Sequence, residues 1–301
     1  MKLNYTIKTN ESFQNIKELL KVKFQISDRL LLKLKTKNKI FLNNTPANIK
    51  LPVNSGDTIE VILDFEEDNS NIVPTKMNLN IIYEDDFLLV LNKPAGLPVH
   101  PSMLHYENSL SNGIKYYFDS INLKKKVRPV NRLDKDTSGI VIFAKNEYIQ
   151  ECLIRQMKTN SFTKEYIAIC NGKLENNTGT INKPISRKPG SIIERCINDN
   201  GDYAITHYDV ICSNNNLSIV HLILETGRTH QIRVHLSSIG NAIIGDKLYG
   251  NSSNLISRQA LHSYKVSFIH PITLTKIKLV APLYSDMKCI IEENFKACTL
   301  F

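Results

Sequence analysis

A break in the pattern of apolar residues divides this chain. Glu66-Glu67-Asp68-Asn69-Ser70-Asn71 is acidic and polar, contains no apolar side chain, and is followed closely by Pro74. A segment with nothing to bury reads as an interdomain linker. Before it, apolar residues recur at helical spacing. After it, they come in short runs of strand length. The 301 residues are enough for two domains. We expect a first domain over residues 1–68, a linker over 69–78 and a second domain over 79–301.

The first region is strongly basic. Lys17, Lys21, Lys23, Arg29, Lys33, Lys35, Lys37 and Lys39 face only Glu18 and Asp28. Ile16, Leu19, Leu20, Leu30, Leu31 and Leu34 mark the apolar side of two short helices, with Ser27 as the N-cap of the second. Ile40-Phe41-Leu42, an Asn43-Asn44 turn and Thr58 to Leu63 then suggest a small sheet. A charge run is usually a solvated helix face. Here the excess is one-sided, and the whole chain carries a formal charge of +9. That balance favours a polyanionic partner, because basic side chains release counterions when they meet phosphates.

From Leu79 onward strands dominate. Ile81-Ile82-Tyr83 and Phe87 to Leu91 flank a Glu84-Asp85-Asp86 turn, Gly139 to Ala144 reads as a strand buried on both faces, and Asn146 to Met157 reads as a helix. Lys164 to Ile169, Tyr203 to Val210 and Leu217 to Leu224 return to strand. This is an α+β pattern rather than a regular βαβ alternation. No apolar run approaches the length of a membrane span, and the N-terminus lacks a signal-peptide core, so a soluble cytoplasmic protein is expected. The six cysteines, at 152, 170, 196, 212, 289 and 298, lack zinc or redox spacing and are expected to be free thiols.

Three segments carry candidate chemistry. Asn131-Arg132-Leu133-Asp134-Lys135-Asp136-Thr137-Ser138-Gly139 places a carboxylate on a turn at the edge of a strand. Taken alone, the commoner role for Asp134 or Asp136 there is to cap the turn. Thr226-Gly227-Arg228-Thr229-His230-Gln231-Ile232-Arg233 leads into a helix, with Thr229 as the expected N-cap and Arg228 just before the helix. His230 and His235 do not stack as a zinc pair does, so no metal is expected. Tyr166, in Lys164-Glu165-Tyr166, begins a strand.

In this order these segments resemble the signatures of the RluA/RluD-type pseudouridine synthases. So do Leu91 to His100, Ile244 to Gly250, Leu261-His262 and His270-Pro271, the whole covering about residues 79 to 285. The basic first region resembles the alpha-L RNA-binding module. The resemblance implies a large catalytic domain on a mixed, mainly antiparallel sheet with flanking helices, plus a small α/β RNA-binding domain. It implies isomerisation of uridine to pseudouridine in RNA, without a cofactor. Asp134 is then the essential carboxylate, acting as nucleophile or base. Arg228 is the arginine that pairs with it and favours its ionised form. Tyr166 packs on the target base. Arg132 enters the RNA where that base has left its stack, and Lys17, Lys21, Lys23, Arg29, Lys33 and Lys35 contact phosphates. The family commonly has histidine where this chain has Asn131, so an acid/base role at that position is in doubt. The expected partner is ribosomal RNA of the large subunit, with transfer RNA as the alternative. A monomer without membrane association is expected. Rival readings are a non-catalytic RNA-binding protein with a decayed synthase domain, or a carboxylate-based nucleoside hydrolase.

Overall fold

The structure is a computed structural model and describes residues 1–159 and 161–295. Cys298 lies outside the described residues. The chain opens with strand β1 (Lys2–Thr6), helices α1 (Ile16–Phe24) and α2 (Asp28–Thr36), and strands β2 (Ile40–Leu42), β3 (Thr45–Pro46) and β4 (Thr58–Ile62). The strands form an antiparallel sheet in the order β1-β4-β2-β3. Ser27 caps α2 by accepting a 3.2 Å hydrogen bond from the Leu30 amide. Along β4 only Ile59 and Val61 point inward, the alternation expected of a half-buried strand.

The rest of the chain forms a second, larger assembly. It starts with β5 (Ile81–Glu84), β6 (Leu88–Lys93), α3 (Leu110–Ser120), β7 (Arg128–Pro129), β8 (Ser138–Ala144), α4 (Glu147–Lys158) and β9 (Thr163–Asn171). It continues with β10 (Thr178–Asn182), the β11 (Ile185–Arg187) and β12 (Arg195–Ile197) hairpin, β13 (Ile205–Ser213) and β14 (Leu217–Leu224). It closes with α5 (Gln231–Ser237), β15 (Leu261–Ile269), β16 (Lys276–Val280) and α6 (Ser285–Asn294). Ten of these strands make one sheet in the order β10-β13-β14-β9-β15-β8-β6-β5, with β16 on β15 and β7 on β8. The β15–β8 pair is parallel and the other pairs are antiparallel, so the sheet is mixed, mainly antiparallel and α+β in class.

Strands β6 and β8 are apolar throughout because both of their faces are covered. Leu88, Val90, Ile140 and Ile142 share a core with α4 and with Leu19, Leu30 and Leu34 of the N-terminal helices. Leu89, Leu91, Val141 and Phe143 pack on the other face against Ile114 and Phe118 of α3. A third core, with Ile169, Ile219, Ile232 and Leu236, lies beneath α5. The segment between β4 and β5 has no helix or strand, yet it is not a free tether. The Glu67 side chain is 4% exposed and receives two hydrogen bonds from Arg128, at 2.5 and 2.7 Å, and one from Lys33 at 2.6 Å. Among the described residues no helix is long and apolar enough to cross a membrane.

At the parallel seam Ser138 lies opposite His262 and Gly139 opposite Ser263. Gly139 has φ +110, and a Cβ there would fall 2.2 Å from the Ser263 carbonyl oxygen. Only glycine tolerates both that conformation and that approach. The catalytic-loop candidate of the sequence therefore enters the middle of the large sheet directly.

Candidate active site

Asp134 occupies a tight turn between β7 and β8, closed by a 3.1 Å bond from the Thr137 amide to the Asp134 carbonyl. Three buried side chains fasten this turn from below. Lys93 Nζ, fully buried, donates to the carbonyls of Pro94, Leu97 and Lys135, each at 2.8 Å. Burial pushes the Lys93 ammonium down to about 7, against the opposing charges of Asp136 and Asp134. Arg258 donates to the Asp136 carbonyl at 3.2 Å, and Gln259 Nε2 donates to Thr137 Oγ1 at 3.2 Å. The Asp134 backbone is thus preorganised while its side chain stays 27% exposed.

The cation on this carboxylate is Arg233. Its Nη1 donates to Asp134 Oδ2 at 2.9 Å, and its Nε and Nη2 donate to the two oxygens of Asp246 at 2.7 and 2.8 Å. Burial opposes the charge of Arg233, but the hydrogen bonds and charges of Asp246 and Asp134 outweigh it and hold the guanidinium above its ordinary range. Burial likewise pushes Asp246 up, and Arg233 more than reverses this, so its carboxyl lies below the usual range. The expectation that Arg228 pairs with Asp134 is corrected here. Arg228 Nε donates to the Tyr203 carbonyl at 3.0 Å, and its Nη1 is 4.0 Å from Asp202 Oδ2. Helix α5 starts after His230, in a left-handed conformation (φ 58, ψ 18), and carries Arg233 in its first turn, while Arg228, before the helix, is held by the Tyr203 carbonyl.

Asp134, Arg233, Arg228, Tyr166, Arg132 and His230 line one cavity of about 780 Å3. A volume of that order suits a flipped nucleotide. Tyr166 stands on β9, opposite Leu222 of β14 and Ser263 of β15. Burial, with help from the Asp134 charge, pushes its hydroxyl up to about 12, so it stays a neutral phenol. Arg132 is exposed at the rim. Lys164, buried beside Gly227, also lines the cavity, and burial lowers its pKa. The Lys164-Glu165-Tyr166 segment was legible, but nothing in it separated the lysine from an ordinary strand-edge charge.

Asn131 has a structural task. Its Nδ2 donates to the Ile140 carbonyl and its Oδ1 accepts from the Ile142 amide, both at 2.9 Å, so it braces β8. His235 is buried between Thr206 Oγ1 and the Lys183 carbonyl, at 2.9 Å each. Among the described residues no cluster of potential metal ligands occurs. The basic N-terminal side chains divide into two sets. Lys33 is tied to Glu67 and Glu147, and Lys23 to Glu11 at 2.5 Å, so both already have acidic partners within the chain. Lys21 pairs with Asp28 on the surface, while Lys17, Arg29 and Lys35 are exposed, Arg29 with its Nε 3.3 Å from Glu147.

A family model described as RNA pseudouridylate synthase matches residues 87–238. A second, described as the RluD ribosomal pseudouridine synthase N-terminal domain, matches residues 3–59. A protein described as the uncharacterized RNA pseudouridine synthase YhcT of Bacillus subtilis is 38% identical over 295 residues, 97% of each chain. The ribosomal large subunit pseudouridine synthase D of Blochmanniella floridana is 36% identical over 274 residues, 84% of this chain and 85% of that one. The solved structure of human RNA pseudouridylate synthase domain containing 1 superposes with a TM-score of 0.57 at 26% identity, covering 68% of this chain and 84% of that one.

Proposed function

This chain belongs to the RNA pseudouridylate synthase family and is an isomerase, and on that premise we propose that it converts uridine to pseudouridine in large-subunit ribosomal RNA at the cavity around Asp134. The observation that carries the site assignment is the Asp134–Arg233 pair at 2.9 Å in a cavity shared with Tyr166. The reaction detaches uracil from the ribose, rotates it and rejoins it through carbon. Arg233 engages Oδ2 of Asp134 and leaves Oδ1 to act on the sugar. Tyr166 gives the detached base a flat apolar face, and Arg132 at the rim fills the stack that the base has left. Relatives named for the large ribosomal subunit favour ribosomal over transfer RNA. Residues 1–68 serve as an RNA-binding module, with Lys17, Arg29 and Lys35 on phosphates, and the enzyme works as a cytoplasmic monomer.

Isomerisation at C5 expels the hydrogen there. Incubation with total RNA from a strain lacking the gene, labelled with tritium at uridine C5, should therefore release tritium to water. No release would sink the isomerase reading, and free uracil would mark a hydrolase. Pseudouridine mapping in cells with and without the gene tests the RNA. A lost site in transfer RNA alone would overturn the ribosomal assignment.

A further inference from the structure

Asp134 has a second neighbour besides Arg233. His230 Nε2 lies 3.7 Å from Oδ2, the oxygen that Arg233 already holds. At its other nitrogen, His230 Nδ1 is 2.7 Å from the Tyr249 hydroxyl. That hydroxyl in turn accepts a 2.7 Å hydrogen bond from the Arg195 amide. Its own proton then has Nδ1 as the acceptor within reach, which places the imidazole proton on Nε2, facing Asp134. Two further supports fix Tyr249. Its ring lies under the Arg233 guanidinium, at 5.0 Å, and its amide donates to Asp246 Oδ1 at 3.2 Å. The His230 backbone adopts φ 58, a conformation that costs energy for a residue with a Cβ and that concentrates at functional sites.

We propose that His230 is a positioning residue for the isomerisation, presenting an Nε2–H, fixed by Tyr249, to Oδ2 of Asp134. The inference rests on the isomerase reading above. Two donors, Arg233 and His230, then converge on one oxygen and turn the other toward the sugar. The 3.7 Å gap is a small ring movement from a hydrogen bond, and catalytic hydrogen bonds often tighten only when substrate is bound. Burial, together with the charges of Arg233 and Arg195, lowers the His230 pKa despite Asp134 and Asp246, in keeping with a neutral ring. A neutral donor steadies the carboxylate without protonating it.

Three forms of the full-length protein test this on tritium-labelled total RNA: wild type, His230→Asn and His230→Gln. Asparagine tolerates the left-handed backbone and can still meet Tyr249, but its amide stops short of Asp134. Glutamine reaches the Nε2 position. The expected result is kcat lowered about 10- to 100-fold in H230N with KM within about twofold of wild type, and most of the rate regained in H230Q. A wild-type rate in H230N overturns the proposal. Equal losses of rate and thermal stability in both variants also overturn it, since His230 would then be structural only. Histidine-selective 15N NMR gives a readout independent of turnover. Wild type should show a protonated Nε2 and a bare Nδ1, and Tyr249→Phe should mix the tautomers. A protonated Nδ1 in wild type overturns the proposal whatever the rates. If wild type releases no tritium, the isomerase reading fails and the role in turnover fails with it. Release by wild type with an unaffected H230N removes the His230 proposal alone.

Discussion

Arg233 Nη1 lies 2.9 Å from Asp134 Oδ2, while the other two donors of the same side chain are committed to Asp246. One rigid guanidinium thus spans two carboxylates, which a lysine ammonium cannot do with the same geometry. We expect Arg233→Lys to lower kcat about 100- to 1000-fold, and Arg228→Ala to lower it less than about tenfold. Single-turnover tritium release separates them. Equal losses would return the pairing role to Arg228.

Asp134→Asn keeps the size of the side chain and its place in the turn but removes the charge. Tritium release should be abolished with RNA affinity within about threefold of wild type. Filter binding alongside the activity assay checks both halves, and retained turnover would refute the central role of Asp134.

Glu67 gives a prediction in pH. Burial raises its carboxyl, but Arg128 and Lys33 more than compensate and bring it from 4.5 to about 2. A carboxyl lowered on folding contributes stability that is complete above its unfolded value and is lost as pH falls through the folded one. The shift corresponds to about 3 kcal/mol. Urea melts should show wild type more stable than Glu67→Gln at pH 6, with the gap closing between pH 4.5 and 2. A gap that does not change with pH would contradict the ion-pair account.

The two sets of basic residues should behave differently. Lys17→Ala with Lys35→Ala should weaken RNA binding and flatten the slope of log K on log salt by roughly 1 to 2. Lys33→Ala should leave that slope nearly unchanged and lower stability instead, because it strips Glu67 and Glu147 of a partner. Titrations at several salt concentrations, paired with melting curves, decide this.

Gly139→Ala should be severe. The added methyl would meet the Ser263 carbonyl at 2.2 Å on a backbone with φ +110. We expect a loss of about 3 kcal/mol or more, seen as a lower denaturant midpoint. A midpoint within error of wild type would show that β8 and β15 can separate at no cost.

Much of this architecture was legible in the sequence. Ser27 and the Leu217–Leu224 strand were readable because capping and strand patterns are local. The burial of Gly139 to Ala144 on both faces followed from its unbroken apolar run. Arg233 was misjudged against Arg228 because both lie close to the start of α5. The deciding contacts are long-range: Arg233 reaches Asp134, 99 positions away, while Arg228 turns to the Tyr203 carbonyl, and neither partner can be read from the segment itself. The ties of Lys33 and Lys23 were hidden for a similar reason. Their partners Glu147 and Glu67, or Glu11, are distant in sequence or lie in segments read separately. A charge run records the sign of a surface and not what already neutralises it.

The parallel seam between β8 and β15 bears on how the protein is made. Ser138, four residues past Asp134, lies opposite His262, and these two side chains are 124 positions apart in the chain. Arg258 and Gln259, which fasten the catalytic turn, emerge just before β15 as well. A nascent chain that has exposed Asp134, but not yet these later residues, holds its carboxylate on an unsupported loop with one strand edge open. The supports of the Asp134 turn are therefore completed only by residues that follow it by more than 120 positions.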